Sequence, residues 1–176
     1  MECSPDDTIL ETERLILRFQ RAGDIGFLVD LWSDARAMEY LGGVRDREYL
    51  IGEFTKVAEN PRAETYDLWP VTLRENGSPV GYAGFVPKEI EGVPRIELVY
   101  VVHPDYWGRG YATEIARALA DYGRNVLGAE TLTALIEPEN LASKRVAERS
   151  GMRRVKSIIR PDGKVKDLYV LGKKFE

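Results

Sequence analysis

The feature that most constrains the fold is the stretch from Leu98 to Arg124, where an apolar strand leads through a glycine loop into an amphipathic helix. Residues 99–102 are β-branched or aromatic, and Pro104 ends the strand because proline has no amide hydrogen to donate to a β-ladder. Apolar side chains then recur with the period of a helix, at Tyr111, Ile115, Leu119, Tyr122 and Val126. Gly108 and Gly110 therefore precede a helix N-terminus, whose unpaired amides can bind an anion.

Several phosphate-binding families share this order of strand, glycine loop and helix. A P-loop requires a lysine directly after its last glycine, whereas no lysine follows Gly110 until Lys144. The dinucleotide-binding fingerprint requires glycine or alanine at its sixth position, where this chain has Thr113, and no N-terminal βαβ unit surrounds it. Both patterns fit poorly, and an ordinary tight turn is the simple alternative for two glycines.

The segment HPDYWGRGYATE resembles the acetyl-CoA pyrophosphate loop of the GNAT superfamily of N-acetyltransferases, whose pattern is Q/R-x-x-G-x-G/A. Trp107 stands where the family usually has Gln or Arg. The tryptophan form followed by Ala-Thr-Glu, together with the opening TERLILR, is similar to the Rim-type branch that acetylates the N-termini of ribosomal proteins. The later segment NLASKRVAERSGM resembles the family's N-x-x-S…G-F motif, with Met152 in place of Phe.

The resemblance implies a binding site for acetyl-CoA. The loop residues would hold its pyrophosphate: Trp107, Gly108, Arg109, Gly110, Tyr111, Ala112 and Thr113. Backbone groups of the preceding strand would hold its pantetheine arm: Tyr100, Val101 and Val102, with the thioester oxygen facing a backbone N–H near Val101. Asn140 would either donate an amide hydrogen bond to the pantetheine or only cap its helix.

The resemblance also suggests catalytic residues. Glu97 is the candidate general base because it lies on the strand that leads to the thioester; the alternative is a solvent-facing or ion-paired strand carboxylate, and Asp67 is the reserve candidate. Many superfamily members place a tyrosine seven residues beyond the asparagine, but here that position is Ala147. The Rim-type branch has a serine at the position of Ser143, whose hydroxyl could stabilise the departing sulfur or serve only as a first-turn helix residue.

Composition restricts the other classes of function. With 176 residues, 44% of them hydrophobic, the chain is expected to form a single domain over residues 1–176, with residues 1–11 as a flexible tail. A net charge of −4 argues against a nucleic-acid partner. The N-terminus lacks a hydrophobic signal region and no apolar run approaches the ~20 residues of a membrane span, which predicts no membrane partner and a cytoplasmic location.

The chain has one cysteine, Cys3, and one histidine, His103, so we expect no disulfide and no Cys/His metal cluster. A Cys–His nucleophilic pair would require the N-terminal tail to fold back onto His103. We interpret His103 as a strand-end residue, and a general-base role for it as the weaker alternative.

The remaining patterns predict a mixed α/β chain. Strands are expected at 14–19, 67–74, 79–86, 95–102, 131–136, 152–159 and 167–173, and helices at 24–38, 46–59, from 111, and from 140 to before Gly151. A helical crossover makes 131–136 parallel to 95–102, whereas Asn76-Gly77 indicates a hairpin. The resemblance implies the GNAT fold, a mostly antiparallel sheet with a splayed parallel pair and helices on both faces. Leu41, Gly42 and Gly43 would lie on the acceptor side or form a plain turn.

Together these features predict an enzyme that transfers an acetyl group from acetyl-CoA to a primary amine, by direct attack in a ternary complex and without a metal. A protein N-terminal α-amine and a small-molecule amine both remain open as acceptors. The rival from another class is a non-catalytic acyl-CoA-binding module, followed by a dinucleotide-binding domain. The protein is expected to be a monomer or a homodimer.

Overall fold

The computed structural model describes residues 7–172. Its strands are β1 (Thr8–Glu11), β2 (Leu15–Arg18), β3 (Leu68–Leu73), β4 (Pro79–Ile90), β5 (Val93–Val102), β6 (Thr131–Ile136), β7 (Arg153–Ile159) and β8 (Val165–Gly172). Its helices are α1 (Ile25–Ser33), α2 (Ala35–Met38), α3 (Arg47–Glu59), α4 (Tyr111–Asn125) and α5 (Leu141–Arg149), and short 3-10 turns cover Ala22–Asp24 and Pro104–Tyr106. Within this part of the chain the strands form one sheet in the order β1-β2-β3-β4-β5-β6-β8-β7.

The sheet is antiparallel except where β5 lies beside β6. These two strands are parallel because α4 carries the chain back across the sheet between them. Their pairing covers Ile96 with Leu132 and Glu97 with Thr133, and then stops, although both strands continue. The predicted mixed fold with a splayed parallel pair is therefore confirmed.

Helices cover both faces of the sheet. On one face α4 packs Ile115 and Leu119 against a core that includes Leu98 of β5. On the other face α1 and α3 pack around Val101, which the alternation of the strand directs to the opposite side. A Cβ at Gly123 would lie 2.9 Å from Leu132 Cδ1, so the glycine lets α4 approach the sheet closely.

The N-terminal prediction needs a correction. Residues 8–11, expected to belong to a flexible tail, form β1 and pair with β2. A four-residue strand of this kind is stabilised by its pairing with β2, and its own sequence carries little signal. Residues 1–6, including Cys3, lie outside the described residues.

Two element boundaries also differ from the prediction. The helix expected over 24–38 is divided at Asp34, whose backbone is extended. The Asp34 side chain caps α2 by accepting hydrogen bonds from the amides of Arg36 and Ala37. The loop expected after Val86 is instead a continuation of β4, which joins β5 through Glu91 and Gly92, both with positive φ (51° and 79°). Two such residues form the tight turn that matches strand twist. No helix described between residues 7 and 172 is long and apolar enough to span a membrane.

Candidate active site

The glycine loop joins the carboxyl end of β5 to the N-terminus of α4. Gly108 and Gly110 both have left-handed backbone conformations, with φ of 75° and 82°, and Gly110 is the N-cap of the helix. Residues with a Cβ adopt this conformation only at a cost, which explains why glycine stands at both positions. The first amides of α4 consequently lie behind a turn in which two of the residues have no side chain, a geometry suited to an anion.

Side chains of the loop bind to its own backbone. The Trp107 indole Nε1 donates a hydrogen bond of 2.7 Å to the carbonyl of Val102, the last residue of β5, while about half of the residue stays exposed. The Arg109 guanidinium lies 5.3 Å from the centre of the Tyr106 ring and donates to the carbonyl of Asp105. Trp107 therefore closes the end of the strand, a role that the sequence did not predict for it.

A gap opens between β5 and β6 beyond Glu97. The amide of His103 donates to Val80 in β4, so the alternation of an antiparallel ladder turns the amide of Val101 toward β4 as well. The amides of Tyr100 and Val102 then face the gap. The prediction of an exposed amide near Val101 is thereby refined to its two neighbours, because only alternate residues point to one side of a strand.

Glu97 lies where the two strands separate. Its Oε1 accepts a hydrogen bond of 3.2 Å from the amide of Leu135 in β6, and its Oε2 lies 3.7 Å from Lys88 Nζ. Burial raises the pKa of the Glu97 carboxyl, although Lys88 and the Leu135 amide act in the opposite direction. Glu97 thus combines the raised basicity of a candidate base with a structural contact to an amide beyond the end of the parallel ladder.

The other two candidate bases are placed differently. Asp67 precedes β3, accepts a 2.7 Å hydrogen bond from the amide of Leu68, and has a pKa raised by burial. His103 caps the 3-10 turn, with its Nδ1 accepting from the amide of Asp105 and its ring beside Phe27. The strand-end interpretation of His103 fits this geometry.

Ser143 of α5 contacts the side chain of Tyr100, which lies on β5 across the gap. The Asn140 Oδ1 caps α5 by accepting from the amide of Ser143 at 3.0 Å. The Ser143 Oγ lies 2.8 Å from the Tyr100 hydroxyl oxygen, and the Tyr100 hydroxyl also donates to the Ser143 carbonyl at 3.1 Å. Burial raises the pKa of Tyr100 to about 12, which keeps its hydroxyl protonated at neutral pH. The sequence assigned Tyr100 a backbone role and could not place its side chain, which the structure brings to Ser143.

The start of α5 is fixed by a buried carboxylate. Asp167 of β8 forms ion pairs with Lys144 at 2.7 Å and with Arg154 at 2.8 Å. Hydrogen bonds and charge from Arg154 and Lys144 hold the pKa of Asp167 well below its usual range. Ala147, where many family members have a tyrosine, is fully buried and packs in a cluster with Met152. The helix is therefore held in one position, with Ser143 rather than residue 147 toward Tyr100.

The glycines proposed for the acceptor side form a turn. Gly42 and Gly43 have φ of 93° and 84°, and the amides of Leu41 and Gly43 donate to the carbonyl of Met38 at the end of α2. This is the bonding expected of a helix C-terminus. Among residues 7–172, no group of three or more His, Cys, Asp or Glu residues is arranged to hold a metal ion.

The comparison with known families agrees with this architecture. The family profile described as "Acetyltransferase (GNAT) domain" matches residues 14–153. The chain belongs to the GNAT acetyltransferases. Two relatives from Bacillus subtilis strain 168 are similar over most of their length. The uncharacterized protein YkkB is 36% identical over 152 residues, covering 86% of this chain and 88% of YkkB. The uncharacterized N-acetyltransferase YnaD is 30% identical over 145 residues, covering 82% of each chain.

Solved structures share the GNAT fold. An acetyltransferase from Agrobacterium tumefaciens C58 is 28% identical with a TM-score of 0.78, covering 98% of both chains. Aminoglycoside acetyltransferase AAC(6')-Ib in complex with coenzyme A is 20% identical with a TM-score of 0.72, covering 90% of this chain and 95% of that one. A Vibrio cholerae protein named provisionally as a ribosomal-protein-serine acetyltransferase is 21% identical with a TM-score of 0.71, covering 96% and 99%. At these last two identities the likeness shows the fold alone.

Proposed function

We propose that this GNAT acetyltransferase uses acetyl-CoA as donor and a primary amine as acceptor, with both bound in a ternary complex. The observation that carries the proposal is the end of β5, where a glycine turn at a helix N-terminus and a gap in the sheet meet. The turn would bind the pyrophosphate and the gap would receive the pantetheine arm, bonded to the amides of Tyr100 and Val102. The coenzyme A complex of AAC(6')-Ib, which has this fold, supports the choice of donor.

In the proposed reaction the amine nitrogen attacks the thioester carbonyl carbon, and the carbon–sulfur bond breaks. Glu97 accepts the proton of the amine, directly or through water, because burial raises the basicity of its carboxylate. The Ser143 hydroxyl donates its hydrogen to the departing thiolate. The Tyr100 hydroxyl, 2.8 Å from Ser143 Oγ, donates its own hydrogen to that oxygen in this step and so fixes the orientation of the serine hydroxyl. Asn140 supports this arrangement by capping α5.

The acceptor is proposed as either a protein N-terminal α-amine or a small amine. The TERLILR and GRGYATE segments, and the name of the Vibrio cholerae neighbour, support the Rim-type branch and therefore a protein N-terminus. Structures of AAC(6')-Ib with aminoglycosides support a small polyamine-like acceptor. We propose a cytoplasmic location, where acetyl-CoA and both kinds of acceptor are present.

Thermal denaturation with added nucleotides tests the donor. Acetyl-CoA or CoA should raise the melting temperature because the site exists only in the folded protein, whereas NAD and ATP should raise it far less. Equal stabilisation by NAD would overturn the assignment. A screen of N-terminal peptides and small amines with acetyl-CoA, read by thiol release, then identifies the acceptor.

A non-catalytic acyl-CoA-binding module is the second candidate. The buried Ala147 in the usual place of a tyrosine favours it, since the common proton donor of the family is missing there. Turnover of any amine in the thiol-release screen excludes this candidate, while binding of CoA without turnover of the whole panel would favour it.

A further inference from the structure

Glu114, in the first turn of α4, binds the turn that joins β1 to β2. Glu114 Oε1 accepts hydrogen bonds from Thr12 Oγ1 at 2.6 Å and from the Arg14 amide at 2.9 Å. Its Oε2 accepts from Arg14 Nε at 2.7 Å and lies 2.6 Å from Arg14 Nη2. Both carboxylate oxygens are therefore occupied by one short segment between β1 and β2, about 100 residues away in sequence.

The same arginine also holds the glycine loop. Arg14 Nη1 donates a 3.0 Å hydrogen bond to the carbonyl of Arg109, and its guanidinium lies 4.7 Å from the centre of the Tyr111 ring. In a planar trans peptide the C=O and the next N–H point in opposite directions. Because the Arg109 carbonyl points to Arg14, the amide of Gly110 points away from Arg14, toward the side of the loop that Arg14 leaves open.

Arg14 also compensates a charge conflict. A carboxylate in the first turn of a helix is favourable for the helix, but it repels a phosphate bound at the same N-terminus. Two nitrogens of the Arg14 guanidinium, Nε and Nη2, contact Glu114 Oε2, and the positive charge of Arg14 neutralises the carboxylate. Burial acts to raise the pKa of Glu114, and the hydrogen bonds from Thr12 and Arg14 more than offset it, so the carboxyl stays ionised and paired.

We propose that Thr12, Arg14 and Glu114 form a clamp that orients the Gly110 amide toward the diphosphate of the donor and neutralises the nearest carboxylate. They are positioning residues, not groups that touch the reacting atoms. The inference rests on the proposed use of acetyl-CoA. It adds that the affinity of the glycine loop for acetyl-CoA depends on the turn between β1 and β2.

The test compares a donor that carries the diphosphate with one that lacks it. In the Arg14→Gln variant the KM for acetyl-CoA should rise about tenfold, because an oriented amide and a compensating charge are both lost. The kcat at saturating donor should change by less than about twofold, and the KM for S-acetylpantetheine should not change. Lys156→Gln is the matched control. Lys156 of β7 pairs with Glu91 in the turn between β4 and β5 at 2.6 Å, and its side chain is 45% exposed, as is that of Arg14.

Titration calorimetry with CoA alone separates this inference from the proposed function. If wild type binds CoA but turns over no amine, the proposed catalysis fails while the Kd ratio of Arg14→Gln to wild type still decides the clamp. An unchanged Kd, or equal losses with acetyl-CoA and S-acetylpantetheine, would overturn the clamp. Arg14→Lys keeps the charge but cannot contact Glu114 and the Arg109 carbonyl with separate nitrogens, so it should lose part of the affinity; it serves if Arg14→Gln does not fold.

Discussion

Removal of the Ser143 hydroxyl should slow the chemical step without unfolding the protein. In Ser143→Ala the Tyr100 hydroxyl loses one partner at 2.8 Å but keeps the Ser143 backbone carbonyl at 3.1 Å. No buried hydroxyl is left without a partner, so the free energy of unfolding should fall by less than about 1 kcal/mol. Loss of a hydrogen bond to the departing sulfur should lower kcat by about tenfold to a thousandfold, judged from single-donor deletions at oxyanion sites.

Tyr100→Phe should show the opposite balance. This change removes a hydroxyl that has two partners in the structure, and the free energy of unfolding should fall by about 1–2 kcal/mol. Because Tyr100 orients Ser143 and does not replace it, kcat should fall by only about tenfold. If the two hydroxyls act as one unit, the double variant should be no slower than Ser143→Ala alone.

The assay is thiol release at saturating acetyl-CoA and amine, with single-turnover measurements to separate chemistry from product release. Since the pKa of Tyr100 is about 12, its hydroxyl stays protonated, and the Tyr100→Phe defect should be constant from about pH 6 to about pH 9. A Ser143→Ala kcat within about twofold of wild type would remove Ser143 from the mechanism. Effects that multiply independently in the double variant would show that the two hydroxyls do not cooperate.

Three further changes test other parts of the site. Gly110→Asp should abolish CoA binding in calorimetry, and normal binding by this variant would place the phosphate elsewhere. Gly110→Ala should cost only about 1 kcal/mol of backbone strain at φ 82°, since its Cβ would lie an ordinary 3.5 Å from Arg14 Nη2. Glu97→Gln should remove the acidic limb of the pH profile of kcat/KM, which lies above pH 4.5 because the pKa of Glu97 is raised from that ordinary value. Asp67→Asn should leave this limb unchanged, and the reverse pattern would make Asp67 the base. Asp167→Asn should destabilise the fold by about 3 kcal/mol at pH 7 in denaturant unfolding. Because the native pKa of Asp167 is lowered, its contribution is present above the unfolded pKa and is lost as pH falls, so the gap between variant and wild type should narrow in acid.

Local patterns predicted the elements whose causes are local. Positive φ at Gly108 and Gly110, the Asn140 cap and the Asn76-Gly77 turn each depend on a residue type suited to one backbone conformation. The parallel pairing of β5 with β6 followed from the helix between them. These parts could be predicted because glycine, asparagine and apolar periodicity act within a few residues of themselves.

Elements that depend on strand pairing or on a side-chain cap, and not on a periodic pattern, were predicted less well. The strand β1 was taken for a flexible tail, and the end of β4 for a loop, because their stability comes from pairing with neighbouring strands. Asp34 divided a predicted helix because its side chain caps a new one, a choice that helical periodicity does not reveal.

The sequence by itself determined that the chain carries a glycine turn between a strand and a helix, and which residue types stand near it. Only the tertiary structure decided which side chains meet: Glu97 with the Leu135 amide, Tyr100 with Ser143, and Arg14 with Glu114. These contacts join residues 38, 43 and 100 positions apart. A hydrogen bond depends on donor and acceptor lying about 3 Å apart, and over such separations that distance is set by the order of the strands and by the packing of helices and loops on the sheet.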